Sequence, residues 1–406
     1  MRVLTLNSGS SSLKFGLFDV PQAEARSVHG ILPTVIAGEV QGIGREAELR
    51  LRTRGTSLQK RQRGIKDHQQ AVQWVFEQLA GETIEAIGHR VVHGGESFVD
   101  SVRIDAGVIT EIERLSELAP LHNPAGVGAI QGAQAALGNI PMVAVFDTAF
   151  HQTLPLHAAT YAIPQELAVR HRIRRYGFHG IAHASLAAGY AAHSGRPLDR
   201  VRLITLHLGN GCSAAAIRHG RSVETSMGFT PLEGLVMGTR SGDVDPAVVS
   251  YLAQREGVSP AEIERWLNER SGLLGLSGLT HDMRELLRAA EQRQHPGAAL
   301  AIEVFCHRAR KYLGAYLAVL GGADAVVFGG GIGEHAPAIR ARICEGMEWC
   351  GLVLDPMKND TTGGLSPGEA ARISRDDAGL EAYVVAVDEE TWIARETVRC
   401  LQRAPS

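Results

Sequence analysis

Five cysteines in 406 residues, at 212, 306, 344, 350 and 400, form no C-x-x-C pair and no even framework. They exclude a disulfide-stapled secreted scaffold and read as reduced cytosolic thiols. Charge of one sign is also lacking: 41 Lys and Arg stand against 44 Asp and Glu, a net charge of -3. Such a chain has no global field for a nucleic acid or an acidic membrane surface, so neither is expected as a partner. Long hydrophobic runs are missing, since even residues 318–333 are broken by Asp324 and by glycines; no membrane-spanning helix is expected. The first residues run straight into a strand-like pattern, without a basic or apolar leader. A soluble cytoplasmic protein is the expectation. No Gly-Lys dipeptide occurs, which removes the Walker A loop, and no His-Arg-Asp tripeptide, which removes the protein-kinase catalytic loop. With only 16 prolines and 44% hydrophobic residues, disorder is excluded too.

Glycine, by contrast, is abundant, at 46 residues, so many backbone positions need a positive φ or close approach to something. The length suggests two or three domains. Short apolar runs that read as strands recur at residues 2–6, 14–20, 86–92, 142–146, 203–208, 213–218, 325–328 and 383–387. Helical periodicity covers 68–79, 181–193, 246–255, 259–270 and 298–320, so the class is α/β. One weak repeat is visible: Leu4-Thr5-Leu6-x-x-Gly9 matches Ile204-Thr205-Leu206-x-x-Gly209 at an offset of 200 residues. Two halves, each opening with a strand-turn-strand hairpin, are suggested. The boundary between them is expected around residues 148–171, and residues 359–368, rich in Thr and Gly, read as an exposed loop.

The turns between these runs carry the chemistry. Asn7-Ser8-Gly9-Ser10-Ser11-Ser12-Leu13-Lys14 offers backbone N–H groups, hydroxyls and a cation on one concave surface. Such a turn serves as a phosphate cradle or as a plain hydrophilic hairpin. Gly209-Asn210-Gly211-Cys212-Ser213 repeats it in the second half. Phe328-Gly329-Gly330-Gly331-Ile332-Gly333-Glu334 ends a strand and opens a helix, where a ligand can lie against bare backbone. Glu334 stands where a Rossmann fingerprint needs its third glycine, so that fold is not supported. Arg90 in Gly88-His89-Arg90-Val91-Val92-His93-Gly94-Gly95 and Arg240 in Met237-Gly238-Thr239-Arg240-Ser241-Gly242 suit bidentate capture of carboxylate or phosphate. His89 and His93 are spaced four apart but sit on an expected strand, about 13 Å from one another, and do not read as zinc ligands. Asp147 emerges at a strand end, as a ligand group or a turn cap. Asp388-Glu389-Glu390 closes a strand and starts a helix, as a cap or as carboxylates for Mg²⁺.

Together these segments resemble the acetate kinase family, within the superfamily of acetate and sugar kinases, heat-shock ATPases and actin. The resemblance rests on residues 6–15, 88–95, 119–124, 145–155, 176–185, 206–213, 225–246 and 328–334 with Glu389-Glu390, in family order along the whole chain. It implies an α/β fold of duplicated ribonuclease-H-like (actin-like ATPase) domains flanking a cleft: residues 1–150 with 385–406, and residues 151–384. It implies that Asn7 and Glu389 position Mg²⁺, with Mn²⁺ the alternative ion, and that Arg90, Asp147, His179, Arg240 and His122 carry catalysis. Val92, Leu121, Phe178 and Pro231, with Arg90, would hold the acyl group. Ser12, Lys14, His207, Gly209, Asn210, Gly211, Asp282, Met283, Arg284, Gly329, Gly330, Gly331 and Gly333 would receive ATP or ADP. Cys212, Gly329 and His335 depart from the family's usual residues at those places.

The activity so implied is ATP + acetate ⇌ ADP + acetyl phosphate, in a homodimer. Acetate is ionised at pH 7 and can attack without a general base. Asp147 then organises metal-bound water or substrate instead of accepting a proton, and catalysis comes from placement and from cations on the equatorial oxygens. A kinase for propionate or butyrate differs only in pocket volume. An actin-like ATPase without a metabolic acceptor is the remaining alternative.

Overall fold

The computed structural model describes residues 1–9, 11–21, 32–53, 56–120 and 122–403; Ser10 and Leu121 lie outside them. The chain divides into two compact units, Met1–Gln152 with Asp388–Ser406, and Thr153–Val387.

The first unit holds strands β1 (Arg2–Ser8), β2 (Ser12–Asp19), β3 (Thr34–Gln41), β4 (Glu46–Thr53), β5 (Thr56–Arg63), β6 (Ala86–Val91), β7 (Val102–Arg103) and β8 (Met142–Phe146). They form one sheet in the order β5-β4-β3-β2-β1-β6-β8-β7. β1 is central and covered on both faces, which is why it reads as a continuous apolar run. Leu4 and Leu6 join the core beneath the helix His68–Gln78, where Ala71, Val72 and Val75 meet Ala129 and Ala133 of the helix Asn123–Leu137. Val3 faces the other way, towards Ala394 and Val398 of the C-terminal helix Glu389–Gln402. That helix is how the last residues of the chain return to the sheet that begins it.

The second unit holds β9 (Arg202–Leu208), β10 (Cys212–Arg218), β11 (Arg221–Thr225), β12 (Ala325–Gly329), β13 (Ala370–Arg372) and β14 (Glu381–Val385), in the order β11-β10-β9-β12-β14-β13. The duplication is explicit in the pairing. β1 runs antiparallel to β2 and parallel to β6, which is parallel to β8. β9 runs antiparallel to β10 and parallel to β12, which is parallel to β14. Each unit is thus an α/β body with the ribonuclease-H-like arrangement of three antiparallel and two parallel strands. Thr5, opposite Gly16, and Thr205, opposite Ala215, occupy matching central positions.

Three expectations need correction. The segment 359–368 is not all exposed loop. The helix Pro356–Thr361 reaches into it because Asp355 caps the Lys358 amide and Pro356 presets the first turn. Asn359 is buried there and its side-chain oxygen accepts from Arg340 at 2.8 Å. β6 stops at Val91, so His93 lies in the turn after it, where its Nδ1 accepts from the Gly95 amide at 2.9 Å. Strands β3 to β5 and the helix Asn123–Leu137 have no counterpart among the expected elements. Yet β4 alternates cleanly, with Ala47, Leu49 and Leu51 buried between outward Glu46 and Arg50.

Candidate functional site

In the first unit the ends of three neighbouring strands bring charged groups together. Arg90, near the end of β6, sits between Asn7 of β1 and Asp147, which follows β8 directly. Its Nη2 and Nε donate to Asp147 Oδ2 at 2.6 and 3.1 Å, and its Nη1 donates to Asn7 Oδ1 at 2.8 Å. These bonds use three of the five guanidinium protons and leave one on each terminal nitrogen. The Arg90 side chain keeps 16% exposure while Asp147 keeps 1%. Burial opposes the charge on Arg90, but Asp147 and then Glu389 outweigh it and hold the guanidinium protonated well above its usual range. Asn7 continues the chain, its Nδ2 donating to Glu389 Oε2 at 2.8 Å and Glu390 Oε1 at 3.3 Å. Burial first, and then the neighbouring Glu389, push the Glu390 carboxyl up. Asp388 takes the capping role, accepting from the Thr391 amide at 3.0 Å, which leaves Glu389 and Glu390 to face Asn7. Of the hydrophilic turn, Gly9 is held by its carbonyl, 2.7 Å from His68 Nε2; Ser12 opens β2 and Lys14 points outward from it.

Behind Arg90 the turn 92–95 is anchored by a residue given no role from sequence. Asn123, fully buried at the start of its helix, accepts from the His93 amide at 3.1 Å and donates to the His93 carbonyl at 3.0 Å. Val92 is buried there, while His122, half-buried, stands at the N-terminal boundary of that helix without capping it.

The second unit gathers two clusters. One is a cavity of about 420 Å³ lined by Gly209, Asn210, Asp282, Met283, Arg284 and Gly331, with His281, Ile332, His335 and Ala336, which sequence reasoning had not assigned to the nucleotide. Gly209 and Asn210 come from the β9-β10 turn. Asp282 caps the helix Met283–Gln292, and its hydrogen bond to Arg284 brings its carboxyl down to about 2. Gly331 to His335 belong to the short helix Gly330–His335. Gly330 has φ +76°, and a Cβ on it would stand 2.7 Å from the Leu208 carbonyl oxygen, so only glycine fits where β12 turns into this helix. Two polar residues fasten the turn. Glu334 accepts from the amides of Gly330 and Val387 at 3.0 and 3.1 Å. Arg340, fully buried, donates to the carbonyls of Gly333 and Glu334 at 2.8 and 2.9 Å and to Asn359. Gly329, Gly330 and Gly333 therefore shape the wall without lining it.

The other cluster surrounds Gly211. The point where a Cβ would stand on it lies 3.3 Å from His179 Nε2 and 3.7 Å from Arg240 Nη1. His179 holds φ +57°, an uncommon conformation for a side-chain-bearing residue, at the start of the helix Gly180–Ser194. Its ring lies 4.7 Å from that of His207. Arg240 donates to the Pro231 carbonyl at 3.1 Å, and burial lowers its proton affinity. Phe178 is buried one residue before His179. Val92 belongs to the first unit, Phe178 and Pro231 belong to the second, and Leu121 is outside the described residues. Among the described residues no three His, Cys, Asp or Glu side chains could hold a metal on their own.

A ribonuclease-H-like sheet in each unit, with a cavity at the β9-β10 turn, gives the duplicated α/β architecture of the actin-like ATPase class. The profile of the acetokinase family matches residues 2–395. An acetate kinase from Solibacter usitatus is 49% identical over 419 aligned residues, covering 100% of this chain and 99% of that protein. One from Chloroherpeton thalassium is 47% identical over 420, covering 99% and 100%. Among solved structures, an acetate kinase from Porphyromonas gingivalis is 39% identical with a TM-score of 0.89, covering 99% of this chain and 100% of that one. A propionate kinase from Francisella tularensis is 38% identical with a TM-score of 0.88, covering 98% and 99%. The chain belongs to the acetokinase family.

Proposed function

We propose that this chain transfers the γ-phosphoryl group of ATP to acetate, reversibly and in one in-line step, giving ADP and acetyl phosphate. The observation that carries the nucleotide half is the 420 Å³ cavity at the β9-β10 turn, whose lining includes Gly209, Asn210, Asp282, Met283, Arg284 and Gly331. The adenosine lies there, with the phosphates beside Gly211; Ser12 and Lys14 of the first unit are the further phosphate-binding candidates. The acetate carboxylate, already ionised, needs no base. The free protons of Arg90 receive it, with Asp147 and Asn7 fixing the fork so that no reorganisation is needed when charge develops. Arg240 and His179, both beside Gly211, donate to the phosphoryl oxygens as negative charge spreads over them. His122, at the start of the helix Asn123–Leu137, stands beside the acyl group.

A divalent ion, Mg²⁺ or Mn²⁺, would neutralise the phosphate oxygens. With one or two carboxylates and retained waters as its usual ligands, it fits the Glu389 and Glu390 pair, whose neighbouring carboxylates both accept from Asn7 Nδ2. Asn7 then orients Glu389 through its amide. The two units act as the two catalytic domains, the enzyme works as a homodimer in the cytoplasm, and its five free thiols accord with a reducing compartment. No described helix is long and apolar enough to cross a membrane.

Trapping the acyl phosphate with hydroxylamine, in the presence of ATP, Mg²⁺ and a series of carboxylates, tests the reaction directly. Acetate should give the highest rate, and no hydroxamate with any acid would overturn the proposal. Loss of activity with chelator and its return with Mg²⁺ tests the ion, and light scattering tests the dimer.

Propionate is the second reading, because the likeness to a propionate kinase is almost as close as that to an acetate kinase. One methylene is worth about 1–3 kcal/mol of discrimination in an apolar pocket. Val92→Ala should therefore raise propionate kcat/KM relative to acetate if Val92 walls the acyl group. An unchanged ratio with a lowered melting midpoint would leave Val92 a core residue only.

A further inference from the structure

Behind His179 lies a continuous line of hydrogen bonds that the proposed reaction does not use. His179 Nδ1 is 2.8 Å from Ser213 Oγ, which is 2.8 Å from His183 Nε2. His183 Nδ1 is 2.7 Å from Thr205 Oγ1. Ser213, His183 and Thr205 are all completely buried, and His179 alone reaches the surface. Thr205 and Ser213 stand on adjacent strands, β9 and β10, and His183 is one turn along the helix that His179 opens. The helix start and the sheet are thus joined through four polar side chains.

A hydroxyl carries one proton and two acceptor pairs, so the line can be polarised head to tail in two ways; a third, in which both imidazoles donate to Ser213, leaves the buried Ser213 proton with no acceptor among the described residues and is disfavoured. In the first, Thr205 donates to His183 Nδ1, His183 Nε2–H to Ser213, and Ser213 to His179 Nδ1. His179 is then neutral and carries its proton on Nε2, the nitrogen on the side of Gly211 and Arg240. In the second, every proton points the other way, His179 carries Nδ1–H, and Thr205 donates to the Ala215 carbonyl at 3.5 Å. In that state His179 offers Nε2–H only by becoming a cation. Two observations weigh against the cation. Arg240 Nη1 approaches the same point beside Gly211 as His179 Nε2, and the ring of His207 lies 4.7 Å from that of His179. The closing bond of the second arrangement, at 3.5 Å, is also the weakest of the set.

We propose that Thr205, His183 and Ser213 are positioning residues that set the tautomer of His179, holding it neutral with Nε2–H presented to the phosphoryl oxygens. This rests on the reading of His179 as a donor to the group in flight. A neutral donor at this place adds a hydrogen bond without adding charge repulsion against Arg240, and it accepts no proton during turnover. The three buried residues touch no substrate; they act through His179.

The tautomer is read by ¹⁵N chemical shifts of the imidazoles in histidine-labelled full-length enzyme at the pH of the activity assay, with His179→Gln used to assign the signals. The expected result is a protonated Nε2 and a bare, hydrogen-bonded Nδ1 for His179 in the wild type. Thr205→Val keeps the shape of the side chain and removes the first donor. It should shift the His183 and His179 signals towards the other tautomer and lower kcat about tenfold, with KM for ATP and acetate changed less than twofold. Ser213→Ala should do the same more strongly, and Ser213→Thr, which restores the hydroxyl, should recover at least part of kcat. If Ser213→Ala does not fold, Thr205→Val and the wild-type spectrum still decide. A wild-type His179 protonated on Nδ1, or variants with unmoved shifts and unmoved kcat while His179→Gln is crippled, would overturn the relay alone. Wild-type kcat in His179→Gln would overturn the catalytic reading of His179 itself.

Discussion

A single guanidinium shows how far one residue depends on its neighbours. Arg90 has three of its protons tied to Asp147 and Asn7, so its two remaining donors are aimed before any substrate arrives. Arg90→Ala should lower kcat about 10²- to 10³-fold, the usual loss for one preorganised donor to developing charge. Circular dichroism should remain native; near wild-type kcat would exclude the role. A second residue-level prediction concerns His89. It is completely buried on β6, neither ring nitrogen has a hydrogen-bond partner among the described residues, and burial pushes its proton affinity down to about 3. The unfolded chain binds that proton near pH 6.5, so the folded state is fully favoured above this value and loses stability as pH falls from it towards 3. His93, lowered by burial to about 4, adds a term of the same sign. His89→Leu removes the larger one. Its unfolding free energy from urea titration should therefore fall less steeply than that of the wild type between pH 6.5 and 4.5, by up to about 1.4 kcal/mol per pH unit. Parallel curves would show that His89 is protonated without penalty.

At the scale of elements, both candidate sites are turns after strand ends, and each is fastened from a distance. The turn after β6 is held by Asn123, thirty residues from His93. Asn123→Ala leaves a buried amide and carbonyl without partners, which should cost about 1–3 kcal/mol by denaturant titration. Asn123→Asp keeps the acceptor for the His93 amide and loses the donor, so its loss should be smaller if the amide bond dominates. The expected elements coincide best with strands whose runs are apolar throughout, and residues 142–146 match β8 residue for residue. β4 escaped because charged residues at alternate places mask its apolar face, although the period of two was present, and β5 because its sequence has no apolar face at all. The helix Asn123–Leu137 escaped because Gly126, Ala129, Gly132 and Ala133 take most of its buried face and leave only Val127 and Ile130 to mark a stripe.

For the whole molecule, ligand binding should register as stability. Saturating ADP should raise the melting midpoint, since a ligand at a hundred times its Kd stabilises by about 2.7 kcal/mol. The cavity assigns where. A Cβ on Gly331 would meet nothing within 4 Å, so Gly331→Val can be accommodated by the fold while its methyl groups enter the space proposed for adenosine. That variant should melt close to the wild type without nucleotide and lose the ADP-induced rise. A preserved rise would move the nucleotide elsewhere.

Local chemistry was legible in the amino-acid order. The Ser-rich and Gly-rich hairpin turns, Arg90 among glycines and Asp147 at a strand end could be picked out because strand periodicity and turn residues are short-range properties. The repeat at an offset of 200 residues likewise announced the pairing pattern that β1-β2 and β9-β10 share. Tertiary structure decided which of these groups meet. Asn7 and Glu389 are 382 residues apart and within 2.8 Å, and no local pattern encodes that distance. The same holds for the contacts made by Asn123, Glu334 and Arg340 and for the line from Thr205 to His179. Each acquires its part only because burial forbids an unpartnered polar group and packing leaves one partner in reach.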